Sequence, residues 1–172
     1  MWLIVMKGFA GSGKSTLSRA LSTQLGWPVI DKDDVKDLLD GQAQAAGSLA
    51  YEIMFNIARR QLLLGLNVIC DSPLTGNISY ARAQRIAVET HASLAILECT
   101  CSNESLWKQR IEGRKALQLP DHHQTDWNTY HMFLRQSSSQ EMYAIAHPHL
   151  IVDTAQPLHE CLTLVNTWLK KL

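Results

Sequence analysis

Two glycines, Gly8 and Gly13, bracket four residues and are followed at once by Lys14 and Ser15 in the segment Gly8-Phe9-Ala10-Gly11-Ser12-Gly13-Lys14-Ser15-Thr16. This is the pattern of a phosphate-binding loop. Glycine lets the backbone curl until successive N–H groups face one anion. A helix opening at the end of the loop adds unpaired amides and the positive end of its dipole. Lys14 then reaches the β- and γ-phosphates as a point charge, and the Ser15 hydroxyl is placed to hold Mg²⁺. A flexible Gly/Ser turn is the plain alternative. An apolar strand before the segment and an amphipathic helix after it favour the nucleotide.

Carboxylates and arginines follow at intervals. The run Asp31-Lys32-Asp33-Asp34 ends a short apolar stretch. A carboxylate there could take the proton of a hydroxyl attacking the γ-phosphate. Asp33 or Asp34 could equally cap a helix over Val35–Leu39, and the spacing leaves the two roles even. Val68-Ile69-Cys70-Asp71-Ser72-Pro73 has the form of a strand ending in a Mg²⁺-holding Asp71, although Asp before Pro is also turn chemistry. Arg110 and Arg114 stand four apart, on one face of any helix. Such a pair is either solvated surface or a clamp on a transferring phosphate. The irregular stretch after it, Ala116 to Asp126, suits a lid. His122-His123 and His147-Pro148-His149 have no partner at zinc-ligand spacing. Cys70, Cys99, Cys101 and Cys161 read as buried structural thiols, and the five tryptophans as packing.

These residues need a scaffold that gathers them. Short apolar runs (Leu3–Met6, Pro28–Ile30, Asn67–Cys70, Ser93–Thr100 and Leu150–Val152) alternate with helical patterns over Lys14–Leu25, Leu49–Leu64 and Leu158–Leu172. In the second helix Leu49, Ile53, Ile57 and Leu64 mark the expected core stripe. Alternation of this kind predicts an α/β fold of three layers, a parallel sheet of about five strands with helices on both faces. Ligands of such sheets bind at the carboxyl ends of the strands, where the motifs fall. At 172 residues the chain reads as one domain, 1–172, with its lid at about 110–126. Sixteen basic residues balance sixteen acidic ones, which argues against nucleic acid as a partner. The apolar amino terminus is too short for a signal peptide and no run is long enough to span a bilayer. A cytoplasmic protein is expected.

With these motifs the chain resembles the small P-loop kinases of the AAA_33 type, over nearly its whole length. The resemblance rests on Gly8 to Thr16, Val29 to Asp33, Val68 to Pro73, the Arg110–Arg114 pair and Val152-Asp153-Thr154. It extends to chloramphenicol phosphotransferase and the zeta-toxin kinases, and more distantly to gluconate and shikimate kinases. It implies the P-loop NTPase fold, ATP and Mg²⁺ as cofactors, and Asp33 as the base toward the acceptor hydroxyl; Asp31, which shares a face with Asp33 if the strand runs through both, is the reserve. Arg110 and Arg114 become lid arginines, Val152–Pro157 lies near the adenine, and Asp40–Ala50 with Asn77–Arg85 faces the acceptor. No Asn-Lys-x-Asp guanine motif occurs, so ATP is expected over GTP. The activity expected is transfer of the γ-phosphate to a hydroxyl of a small molecule. A nucleotide-driven ATPase switch and a nucleic-acid end kinase are the competing readings. No feature specifies an oligomeric state.

Overall fold

Leu3, Ile4, Val5 and Met6 are each wholly closed to solvent, the burial of a central strand covered on both faces. They form the middle of β1 (Trp2–Lys7) in a computed structural model that describes residues 1–117, 125–137 and 143–172. β1 pairs in parallel with β3 (Val68–Asp71) on one side and β4 (Ser93–Thr100) on the other. β2 (Val29–Asp31) lies outside β3 and β5 (His149–Asp153) outside β4, both parallel, giving the order β2-β3-β1-β4-β5. All five expected strands are present, within two residues at each end.

The pleat divides β1 between two cores. Ile4 and Met6 join Leu17 and Leu21 of α1 (Lys14–Leu25) and Cys161 and Val165 of α7 (Leu158–Leu169). Leu3 and Val5 join Met54, Phe55 and Ala58 of α3 (Ala46–Leu63), and Tyr80 and Ala83 of α4 (Gly76–Thr90). The fold is therefore the three-layer P-loop NTPase architecture. Asp31 caps α2 (Lys32–Leu39), and Asn103 caps α5 (Glu104–Gly113) through the amide of Leu106. A 3-10 turn (Arg114–Leu117) follows α5. Asp126 accepts from the Thr129 amide at 2.9 Å at the start of α6 (Trp127–Ser137). Of the expected lid, residues 118–124, with His122 and His123, lie outside the described residues.

Two expectations about helices are corrected. The buried stripe of α3 is Ala50, Tyr51, Met54, Phe55, Ala58 and Leu62, whereas Leu49, Ile57 and Leu64 are exposed. Two overlapping stripes of this helix satisfy the three-and-four spacing. The one bearing Ala50 and Ala58 lets the backbone approach the sheet closely, and packing selects it. Helices α4 and α6 were not anticipated as elements. The inward positions of α4, Ser79, Tyr80, Ala83, Ile86, Ala87 and Thr90, are periodic but small or polar, and so weak in hydrophobic contrast. Among the described residues no helix is long and apolar enough to cross a membrane.

Candidate active site

The loop between β1 and α1 is built with its carbonyls held and its helix start open. Gly13 occupies the position before α1 at φ 86° and gives no side-chain cap. The amides that open α1 therefore have no acceptor in a preceding turn and are available to an anion. A Cβ on Gly13 would lie 2.7 Å from Thr154 Oγ1, so both φ and space demand glycine there. Lys14 Nζ folds back to donate to the Phe9 carbonyl at 2.8 Å. Burial pulls its pKa below the ordinary lysine value; Asp71, Cys99 and Asp33 oppose that shift, while the Arg114 charge adds to it.

Gly11, Gly13, Lys14, Ser15, Thr16, Arg110 and Arg114 line a cavity of about 220 Å³. The structure thus brings the expected arginine pair to the phosphate loop. Their situations differ. Arg110 donates to Thr154 Oγ1 and to the Thr154 carbonyl, each at 2.8 Å, so its guanidinium is already oriented by the β5–α7 turn. A smaller adjoining cleft is lined by Gly13, Thr16, Leu17, Arg110, Thr154 and Gln156, among others, and brings part of the Val152–Pro157 segment beside the loop. A larger cavity of about 350 Å³, lined by Phe9, Leu74, Glu98 and Trp107 among others, touches neither Lys14 nor Asp71.

Asp71 ends β3 beneath the loop, 1% exposed, and accepts from Ser18 Oγ at 2.9 Å. Ser18, one turn into α1 from Ser15, was missed in the sequence; only its place three residues after Ser15 marks it. A buried carboxylate and the Ser15 hydroxyl are hard oxygen donors of the kind Mg²⁺ takes, an ion that keeps several waters and needs few protein ligands. Among the described residues no three His, Cys, Asp or Glu gather into a metal cage.

The acidic run after β2 is arranged otherwise than its spacing suggested. Asp31, not Asp33 or Asp34, is the cap: its Oδ1 accepts from the Asp33 amide at 2.9 Å, and α2 starts at Lys32. The strand stops at Asp31, so Asp31 and Asp33 do not share a strand face. Asp33 sits in the first turn of α2, with Oδ1 2.7 Å from Lys32 Nζ and its side chain 40% exposed. Asp31 is opposite Asp71 in register, and Arg19 Nη2 approaches its Oδ2 at 3.6 Å. Burial first, then Asp71, push the Asp31 pKa up to about 6, with the Asp33 amide pulling the other way.

That shift has a measurable sign. Between pH 4 and 6 the folded chain binds a proton at Asp31 that the unfolded chain has released, so this group makes stability fall as pH rises. In metal-free buffer Asp31→Asn, which keeps a capping oxygen, is expected to remove that slope. It should also raise stability at pH 7.5 by up to about 3 kcal/mol, the equivalent of a shift from 3.8 to about 6. Denaturant titrations of both proteins at pH 4 and 7.5 check this; parallel pH dependences would refute it.

The four cysteines are free and buried. Burial pushes the Cys99 thiol up to about 12, which suits packing and not nucleophilic chemistry. His147 Nδ1 meets Tyr80 Oη at 2.7 Å, and His149 Nε2 meets Glu98 Oε2 at 2.9 Å.

A model of the AAA_33 family, described as an AAA domain, matches residues 3–155. The chain belongs to this family. No match was found among curated proteins. Among solved structures, the chain is similar to a candidate kinase from Chloroflexus aurantiacus, with 24% identity, a TM-score of 0.76 and 96% of each chain covered. It is also similar to a gluconokinase from Sinorhizobium meliloti, with 18% identity, a TM-score of 0.63, and 98% of this chain and 91% of that one covered. The APS kinase of Mycobacterium tuberculosis, in complex with AMPPNP and APS, has 16% identity and a TM-score of 0.66, covering 98% and 96%. At these identities the likeness is one of fold.

Proposed function

We propose that this AAA_33 protein is a Mg²⁺-dependent phosphotransferase that moves the γ-phosphate of ATP to a hydroxyl of a small molecule. The observation that carries the reading is the cavity at the loop, where Lys14, Ser15, Arg110 and Arg114 face one another; the carboxylate Asp33, in the first turn of α2 and paired with Lys32 Nζ at 2.7 Å, is the base assigned to it. In the proposed reaction the acceptor oxygen bonds to the γ-phosphorus, the bond to the β–γ bridging oxygen breaks, and ADP leaves. The hydroxyl proton passes to Asp33. Loop amides and Lys14 hold the phosphates, and Arg114 and Arg110 meet the charge that spreads over the transferring group. Ser15 and Asp71 would hold Mg²⁺, which supplies neutralising charge at the β- and γ-phosphates when bound. The solved relatives named as a gluconokinase and an APS kinase support an acceptor of small-molecule size. The balanced net charge favours that class over nucleic acid.

Purified protein with labelled ATP and Mg²⁺, offered pools of sugars, nucleosides, antibiotics and oligonucleotides, tests the reading. Label entering a small-molecule pool supports it. Phosphate release that no pool alters would assign a switch instead, and label in oligonucleotides an end kinase.

The two arginines should separate in such an assay. Arg114→Ala is expected to lower kcat by roughly 10²-fold, the worth of a group stabilising transition-state charge, with little change in ATP affinity. Arg110→Ala also releases Thr154 and should weaken ATP binding together with kcat. Equal kinetics in both variants and the parent would return the pair to ordinary surface charge.

A further inference from the structure

The carbonyl of Ala10 accepts two hydrogen bonds from outside the loop, from Trp107 Nε1 at 2.8 Å and from Tyr130 Oη at 3.0 Å. Trp107 belongs to α5 and Tyr130 to α6. The indole also lies hard against the loop, for a Cβ on Gly11 would stand 3.0 Å from Trp107 Cδ1 and Nε1. Trp107 and Tyr130 meet at 6.2 Å between ring centroids, inclined at 68°. Together with Ile111 and Trp127 they form a cluster on which Phe9 and Ala10 pack.

In a trans peptide the carbonyl and the following N–H point in opposite directions. Two donors gripping the Ala10 oxygen therefore turn the Gly11 N–H the other way, toward the cavity that Gly11 lines with Lys14, Arg110 and Arg114. Neither Trp107 nor Tyr130 lines that cavity. The construction recurs two residues later. The Thr154 hydroxyl, which shares its proton between the Ser12 carbonyl at 2.8 Å and the Thr100 carbonyl at 3.0 Å, directs the Gly13 N–H in the same manner. A loop with φ 73° at Gly11 and 86° at Gly13 has glycine's freedom to rotate these peptides away. The outer grip removes that freedom before the anion arrives, so less ordering is left for binding to supply.

We propose that Trp107 and Tyr130 are positioning residues for phosphate binding: they act through the Ala10 carbonyl to hold the Gly11 amide toward the nucleotide's phosphates. This rests on the nucleotide reading of the loop and not on the acceptor. Because both donors hold one oxygen, either alone retains most of the orientation, and the loss should come when both are gone.

Binding of MgATP and of inorganic tripolyphosphate to Trp107→Phe, Tyr130→Phe and the double variant tests it by calorimetry. Phenylalanine keeps an aromatic ring at each place but cannot donate. Each single change is expected to raise Kd two- to threefold, and the double change at least 30-fold, for both ligands. A double variant binding tripolyphosphate within twofold of the parent overturns the proposal, whatever its Tm, since packing alone would move only Tm. Should the double variant not fold, Tyr130→Phe decides, because it differs from the parent by one oxygen. Its Gly11 amide resonance in a ¹⁵N spectrum should move and its tripolyphosphate Kd rise at unchanged Tm; no change in either sinks the proposal. A parent protein that binds neither ligand would overturn the nucleotide reading and this inference with it.

Discussion

Lys14→Ala is expected to reduce ATP affinity or turnover by two orders of magnitude or more, while the protein still folds. One preorganised charged contact at a phosphate in a desolvated site is worth about 3 kcal/mol or more, and no other described side chain of the loop from Gly8 to Thr16 is cationic. The side chain is only 8% exposed, yet its ammonium reaches across the loop to the Phe9 carbonyl and away from the hydrophobic clusters. Burial disfavours its charge, so alanine relieves a desolvation cost as it removes a contact. Tm should shift by a few degrees at most. Calorimetric titration with MgATP beside a thermal melt checks both halves. Undiminished binding would remove the loop from the nucleotide site.

Asp33→Asn should lower transfer to the acceptor by roughly 10²–10⁴-fold, the worth of a general base, and leave ATP binding largely intact. The cap at Asp31 sharpens this experiment. Had Asp33 capped the helix, its loss would have cost about 1 kcal/mol of stability with catalysis spared. Asp31 already holds the Asp33 amide, so the cap survives the substitution. What remains at stake in stability is the ion pair with Lys32, whose side chain is 9% exposed against 40% for Asp33, and a favourable charge at the helix start, together about 1–3 kcal/mol. Thermal unfolding and phosphoryl transfer are measured on the same protein. Full transfer activity would return the base to Asp31, whose pKa of about 6 suits proton abstraction near neutrality, or to none.

How much of this was written in the residues follows the range of the forces involved. The phosphate loop was legible because its geometry is local: Gly8, Gly13, Lys14 and Ser15 act through backbone curvature and one helix start, and their spacing is enough to specify both. The five strands were legible because central strands are apolar without interruption, as Leu3 to Met6 show. Helix α7 was legible because its stripe is leucine-rich, even though Leu158 at its start is exposed and the helix ends at Leu169, short of the expected Leu172.

The remainder depended on contacts far apart in sequence. Periodicity alone could not choose between the two stripes of α3, because that choice belongs to the sheet against which Ala50 and Ala58 pack. Nor could spacing tell which aspartate after β2 caps α2, since two residues more of strand would have moved the cap from Asp31 to Asp33. The pairing of Asp71 with Ser18, of Arg110 with Thr154, and of Trp107 and Tyr130 with Ala10 joins positions 44 to 120 residues apart. Each is a hydrogen bond between side chains, or from side chain to backbone, that leaves no trace in local pattern. The sequence by itself determined the nucleotide loop and the layered sheet that carries it. Only the tertiary structure decided which side chains hold that loop open, because an orienting hydrogen bond exists only when packing has brought donor and acceptor within about 3 Å.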